Sequence, residues 1–423
     1  MERIYIKDLK KGEVLLRGWV YEIRNLSKLK FLILRDMSGM VQCVVKGDLM
    51  AKITELSLES VVEISGKVKE AKVKADFCRT DVEIEVLNIK ILNKAEKLPI
   101  HVNEKTTSTE LPTRLDNRSL DVRKPEVAAR FKIQSCIING FRDYFYKKGF
   151  MEIQPPAIIA TSTEGGTDLF KIKYFEKDAY LAQSPQLYKQ LMAISLEKVF
   201  STSTIWRAEK HDTSRHINEI RQMDIEVGFA DDMQVMSYLE KSVQFIVIKV
   251  LKECEKELKI LDLELKIPKA KYLTYEKTIE VLSKNGFKKI KLGDDLEPEM
   301  ERKLCEIYKD TIVFVYEWPV SIKPFYIWPK TKKTSGGFDA IYGGLEISSG
   351  GQRVHVPDIL IEQLKLKGLK PKDFSWYVDA FRYGAPMHAG WSIGLERLSQ
   401  AMMKVNNIRE VTLFPRDRKR LTP

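Results

Sequence analysis

Between Val14 and Leu92 apolar and polar positions alternate in five short runs: Val14–Tyr21, Lys30–Arg35, Val41–Val45, Val61–Lys67 and Val82–Leu92. This is the period of strands with one buried face. A turn at Asp36-Met37-Ser38-Gly39 joins the second and third runs, and a helical stretch from Leu49 to Leu58 separates the third from the fourth. From Asn93 to Val122 the period lapses while Pro, Thr and Asn become frequent, which predicts a hinge. Pro125 then opens a helix on which Val127, Phe131, Ile138, Phe141 and Phe145 share one broad face, and Gly149 stops it. Ser201 to Phe229 reads as a long antiparallel hairpin with a basic loop, Lys210 to His216, at its tip. On the returning strand Met223, Ile225, Val227 and Phe229 alternate with Asp224, Glu226 and Gly228, which predicts one buried face. A further helix is expected from Met233 to about Leu258, and the rest of 231–335 carries charge-rich mixed segments without assignable chemistry.

Five strands with a helix between the third and fourth is the order of an OB barrel. With 423 residues there is room for two or three domains, so the chain is expected to be an α+β multidomain protein: a barrel over 1–95, a hinge over 96–124, and a larger domain over 125–423. The formal net charge of +12 favours a polyanionic partner. Cys43, Cys78, Cys136, Cys254 and Cys305 lie far apart without a CxxC pair, which points to a reducing compartment and away from a disulfide framework or zinc knuckle. The N-terminal stretch has no apolar signal core, so a cytoplasmic location is expected. There is no GxxxxGK[ST] and no GxGxxG, so a bound nucleotide would be held by side chains and metal instead of a glycine-rich backbone cradle.

Several residues carry candidate chemistry. In the barrel Phe31, beside Lys28, Lys30 and Arg35, is suited to stacking on a single-stranded base, with the alternative that it fills the barrel core. Arg207 and Glu209 stand two apart on the hairpin and would share a face, the alternative being a solvated surface ion pair. GGLEISSGGQRVH, Gly343 to His355, packs Glu346, Ser348, Ser349 and Arg353 among glycines that would let backbone approach a ligand. Its hard oxygen ligands suit the Mg²⁺ of a triphosphate, which keeps waters and phosphate oxygens in its other positions.

The stretch RAEKHDTSRHINE resembles motif 2 of the class II aminoacyl-tRNA synthetases, in the archaeal and eukaryotic style of the aspartyl and asparaginyl branch. FMEIQPPAII is similar to motif 1, and YGAPMHAGWSIGLERLSQAM with the ending LFPRDRKRLTP is similar to motif 3 and the archaeal aspartyl C-terminus. The resemblance runs from barrel to C-terminus. It implies an OB-fold anticodon-binding domain followed by a class II catalytic domain, an antiparallel sheet flanked by helices, acting as an aspartate–tRNA ligase. ATP would be the substrate, Mg²⁺ the cofactor, and L-aspartate and tRNA-Asp the partners, in a homodimer whose interface includes Pro156. ATP binding would fall to Arg207, Glu209, Arg215, His216, Glu346 and Arg397, with Arg207 and Arg397 the catalytic cations. Aspartate would be held by Glu164 on a mobile loop and by Ser184, Gln186, Lys189 and Arg353. The metal would sit on Glu346 and Ser349, and Phe31, Gln42 and Tyr21 would meet the anticodon.

Two departures from the family pattern stand out: Ile220 replaces an aromatic expected on adenine, and Trp391-Ser392-Ile393-Gly394 crowds a turn that is usually glycine-rich. Lys189 and Arg353 disfavour an asparaginyl enzyme, because a carboxamide would leave a buried cation unpaired. A dual-specific enzyme that also charges tRNA-Asn shares this catalytic site, and a catalytically inactive nucleic-acid-binding paralogue is the alternative from a different class.

Overall fold

The computed structural model describes residues 2–54, 56–103, 109–160 and 169–423. The chain divides into two compact units, Met1–Ala128 and Ala129–Pro423.

In the first unit strands β1 (Gly12–Asn25), β2 (Lys30–Arg35), β3 (Met40–Val45), β4 (Val61–Glu70) and β5 (Cys78–Asn93) close into a barrel in the order β1-β2-β3-β5-β4. A short helix, α1 (Leu49–Lys52), precedes β4. The alternation read from sequence is realised: Leu16, Leu32, Leu34, Val41, Cys43, Val62, Ile64 and Ile84 turn inward and form the barrel core. Residues 96–124, expected as a hinge, carry two short helices, α2 (Leu111–Asp116) and α3 (Arg118–Asp121). Their polar side chains close on one another, with Arg114 and Arg118 both paired to the buried Asp121. Such i,i+3 and i,i+7 charge pairing leaves no apolar period to read.

The second unit is built on an eight-stranded sheet. Its strands are β6 (Met151–Glu152), β10 (Lys198–Trp206), β11 (Glu219–Gly228), β12 (Lys269–Thr274), β13 (Thr311–Tyr316), β14 (Gly337–Tyr342), β15 (Leu345–Gln352) and β16 (His388–Gly394), in the order β12-β13-β14-β15-β16-β11-β10-β6. A small sheet of β7 (Ile158–Ile159), β8 (Lys171–Tyr174) and β9 (Lys177–Leu181) stands apart from it. Helices α4 (Pro125–Lys147) and α6 (Asp232–Glu253) join one face of the large sheet in a single core through Ile133, Ile137, Phe141, Phe145, Leu239, Val243 and Ile246. The expected helix to Leu258 breaks at Cys254 into α6 and α7 (Glu255–Ile260), and Asp231 with Gln234 forms a capping box at its start. The remaining helices are α5 (Gln186–Leu196), α8 (Tyr275–Lys284), α9 (Pro298–Ile307), α10 (Pro357–Leu366), α11 (Ser375–Phe381) and α12 (Leu395–Met403). No helix among the described residues is long and apolar enough to cross a membrane.

Two expectations about the hairpin need correction. β11 is buried on both faces, Asp224 and Glu226 as completely as Ile225, because it lies inside the sheet between β10 and β16 and its second face lines the site described below. Phe229 falls beyond the strand with a positive φ and is 68% exposed. Trp391 does not crowd the nucleotide turn. It points to the helix layer, where its indole N–H donates to Val235 O at 2.8 Å and its ring meets Phe141 and Phe145 edge-on.

Candidate active site

The face of the sheet opposite α4 and α6 carries a cavity of about 310 Å³, the size of a small-ligand site. Its walls include Ser184, Gln186, Arg207, Glu209, Arg215, His216, Glu346, Ser349, Arg353 and Arg397. Residues spread over more than two hundred positions thus converge because β10, β11, β15 and β16 are neighbours in the sheet. Glu164 lies outside the described residues, and Lys189 sits just behind the wall, fully buried on α5.

One end of the cavity is cationic and half-open. Arg207 follows the last residue of β10, and its backbone is clamped by Asn218, whose amide donates to Arg207 O at 2.7 Å and Glu209 O at 2.9 Å. The Arg207 guanidinium is only loosely paired with Glu209, at 3.9 Å. Arg397 rises from α12 and donates to Glu346 O at 3.2 Å. His216 is bonded to the Thr213 hydroxyl at 2.6 Å, and burial, reinforced by Arg397, holds its pKa below the usual imidazole value. Arg215 lines the same wall but turns its guanidinium away, to Glu301 at 3.0 Å and Gly344 O at 2.9 Å. Ile220 does line the cavity, so no aromatic ring occupies that position.

Beside this cluster Asp339 on β14 lies directly opposite Ser349 on β15, with Glu346 nearby across a bulge. Burial and the neighbouring Asp339 push the Glu346 carboxyl up to about 7, although 38% of its side chain faces the cavity. Two carboxylates crowded in this way call for positive charge, and with Ser349 they form an all-oxygen set that fits a Mg²⁺ ion. Lys323 supplies part of that charge, 2.6 Å from Asp339. Asp339 and Lys323 were missed in the sequence because only the β14/β15 pairing brings them to Ser349.

The other end is closed and ionic. Lys189 Nζ lies 3.0 Å from Asp224 and 3.6 Å from Glu226, and Arg353 forks onto Glu226 through Nε at 2.8 Å and Nη2 at 3.2 Å. Burial would raise the Glu226 pKa, but Arg353 and Lys189 outweigh it and hold the carboxylate below its usual range. Asp224 is raised by burial despite Lys189. Gly390 is required here, since a Cβ would sit 2.2 Å from Glu226 Oε2. Gly350 is likewise demanded by protein packing, against Gly390 O and Trp391, and not by a ligand as its sequence context suggested.

Between the two ends the walls include two glutamines with buried polar atoms that have no partner among the described residues: Gln186 Nε2 and Gln222 Oε1. Unsatisfied groups of this kind are rare in folded proteins and mark places where a ligand completes the hydrogen bonding. Gln222 carried no signal in the sequence, where it reads as an ordinary strand residue.

In the barrel Phe31 is half-buried, stands outside the core cluster, and pairs across the strands with Val44, while Gln42 faces Ile33 and donates to Glu83 at 3.0 Å. Tyr21 does not join them. A bulge between Val20 and Glu22 sends Val20 into the barrel core, while Tyr21 packs outside that core with Ile33, Met40 and Val102, its hydroxyl pushed up to about 12 by burial. Pro156 is exposed, near the exposed apolar side chains of Tyr146, Met151 and Ile158 in sequence.

Residues 110–418 match the family model of the class II tRNA synthetases (D, K and N), and residues 14–92 match the OB-fold nucleic acid binding domain. The chain is 43% identical to an aspartate–tRNA(Asp/Asn) ligase of Methanocaldococcus jannaschii, covering 97% of this chain and 95% of the relative. It is 46% identical to an aspartate–tRNA(Asp) ligase of Thermococcus kodakarensis, covering 99% and 98%. Among solved structures, asparaginyl-tRNA synthetase from Pyrococcus horikoshii complexed with asparaginyl-adenylate superposes with a TM-score of 0.92 at 33% identity, over the full length of both chains. An OB-fold domain followed by a mostly antiparallel sheet that gathers these side chains into one cavity makes the chain a member of the class II tRNA synthetase family.

Proposed function

We propose that this protein is an aspartate–tRNA ligase. It would activate L-aspartate with ATP to aspartyl-adenylate and transfer the aspartyl group to the 3′ end of tRNA-Asp. The observation that carries this reading is one cavity with a cluster of arginines at its open end and the Lys189/Arg353 couple, charge-balanced by Asp224 and Glu226, at its closed end. The first suits a triphosphate and the second a carboxylate side chain.

The aspartate α-carboxylate attacks the α-phosphorus of ATP, the bond to the bridging oxygen breaks, and pyrophosphate leaves. A terminal ribose hydroxyl of tRNA then attacks the adenylate carbonyl and AMP leaves. No side chain is needed as a nucleophile, so the contribution of the chain is positioning and charge neutralisation. Arg207 faces the α-phosphate, and Arg397 with His216 faces the outer phosphates. Glu209 accepts from the adenine amino group, and Arg215 holds the loop to α9 unless ATP draws it inward. Mg²⁺, held by Glu346 and Ser349 with Asp339 beside them, would neutralise phosphate charge. Arg353 Nη1, which makes no bond to Glu226, and Lys189 receive the β-carboxylate. Ser184, Gln186 and Glu164 hold the amino-acid moiety, and Asp224 is the carboxylate suited to its ammonium.

Phe31 and Gln42 are assigned to the anticodon. Residues 1–95 would form the anticodon-binding domain, 96–124 the connection, and 125–423 the catalytic domain. Pro156, with exposed apolar side chains near it in sequence, suits a homodimer interface, and the free state of all five cysteines accords with a cytoplasmic setting. The relatives carry both Asp and Asp/Asn names, which keeps dual tRNA specificity as a second reading. ATP–pyrophosphate exchange with aspartate and with asparagine, followed by charging of tRNA-Asp and tRNA-Asn transcripts, tests both. Exchange with aspartate alone is expected, and exchange with asparagine alone would overturn the assignment.

A further inference from the structure

Behind the ionic end of the cavity lies a second layer of polar side chains that touches no substrate-facing surface. Gln190, Tyr377 and His388 are each completely buried. The Tyr377 hydroxyl donates to Gln190 Oε1 at 2.8 Å, and His388 Nε2 lies 3.0 Å from the same oxygen. The other ring nitrogen of His388 meets Pro386 O at 3.0 Å, and the ring stacks on Phe381 at 5.6 Å. These three groups sit beside an otherwise apolar cluster of Leu187, Phe325, Leu360, Phe374, Val378 and Phe381. Buried polar groups in such surroundings are costly unless they secure a particular geometry, and apolar residues of the same shape would pack there at less cost.

The geometry they secure is the spacing of the two cations. Gln190 directly follows Lys189 on α5. The His388 carbonyl accepts the Arg353 backbone N–H at 2.8 Å. The bond between the Gln190 and His388 side chains therefore ties the backbone that carries Lys189 to the backbone that carries Arg353, and Tyr377 on α11 braces it from a third element. A bidentate grip on a carboxylate tolerates little change in the placement of its donors, whereas phosphate binding at the far end of the cavity does not involve this node.

We infer that Gln190, Tyr377 and His388 form a positioning node that sets the separation of Lys189 and Arg353 and thereby the selectivity for a carboxylate-bearing amino acid over its carboxamide. This rests on the proposed aspartate–tRNA ligase reading. The test is steady-state ATP–pyrophosphate exchange by the full chain and by its Tyr377→Phe, Gln190→Leu and His388→Gln variants, with thermal melting of each. The KM for aspartate is expected to rise about tenfold in Tyr377→Phe and further in Gln190→Leu, with kcat within about twofold and the KM for ATP unchanged. The ratio of aspartate to asparagine use should fall in parallel. Tyr377→Phe removes one hydroxyl from a site that keeps its shape, so it remains informative if the other two fold poorly. An unchanged KM for aspartate with a lowered melting temperature, or equal rises in both KM values, overturns the node. A parent chain that folds but exchanges with neither amino acid undoes the ligase reading and this inference together.

Discussion

Lys189 Nζ lies 3.0 Å from Asp224 Oδ1, so the lysine that the sequence marks for a substrate carboxylate already has a protein carboxylate as partner. Both side chains are essentially without solvent. Removing one member of such a pair leaves an uncompensated charge in the interior, at about 3–5 kcal/mol. Lys189→Met should therefore lower the melting temperature and abolish aspartate exchange. Replacing Asp224 by Asn in the same chain should restore much of the stability and none of the activity. Recovery of exchange in the double variant would show that Lys189 acts only as a counterion.

Arg207 is expected to act in the transition state and hardly in folding, since its guanidinium has only the long contact to Glu209. Arg207→Ala should leave the melting temperature within about 1 °C and reduce exchange by about 10²–10³-fold or more. Retained exchange would remove it from the phosphate-binding role.

Gln222 presents a buried oxygen without a partner, which costs about 1–3 kcal/mol in the unliganded protein. Gln222→Leu should raise the melting temperature while raising the KM for one of the small substrates. Measured together, the two effects separate a ligand-completed site from a packing defect, which would give the first effect alone.

Two carboxyls with raised pKa make stability and activity depend on pH in opposite senses. Burial pushes Glu396 up from 4.5 to about 7. Between those values the folded protein holds a proton that the unfolded chain has lost, so stability is highest below the lower value and declines as pH rises through about 7. Glu396→Gln should melt on the order of 2 °C above the parent at about pH 8 and show no such gain at about pH 4.5. Glu346, also raised to about 7, must lose its proton to bind a cation. Exchange at limiting Mg²⁺ is therefore expected to increase as pH climbs through about 7, a dependence that excess Mg²⁺ flattens.

Phe31 belongs to the barrel unit and the residues lining the catalytic cavity to the other. Phe31→Ala should weaken tRNA binding by about 1–3 kcal/mol, the worth of one stacked base, and leave exchange intact. Tyr21→Phe should change neither, because its ring is already buried.

Much of the site was legible because its chemistry sits in short stretches whose local form is set by their own residues. The run to Arg207, the glycine-flanked Glu346 to Arg353 and the Gly394 start of α12 each announce an element and a charged side chain at its end. What could not be read were partners from other stretches. Asp224 and Glu226 looked like the solvent face of a hairpin, Arg215 like a phosphate ligand, and Trp391 like an obstruction.

The sequence by itself determined the barrel order, the two long helices, the hairpin and the identity of the cations, since periodicity and side-chain chemistry are carried by neighbours along the chain. Only the tertiary structure decided that both faces of β11 are buried, that Lys189 and Arg353 share the carboxylates of that strand, and that Asp339 stands opposite Ser349. Strand order in the sheet brings together residues with no local signal of one another, and in a buried site the counterion matters as much as the charge it balances.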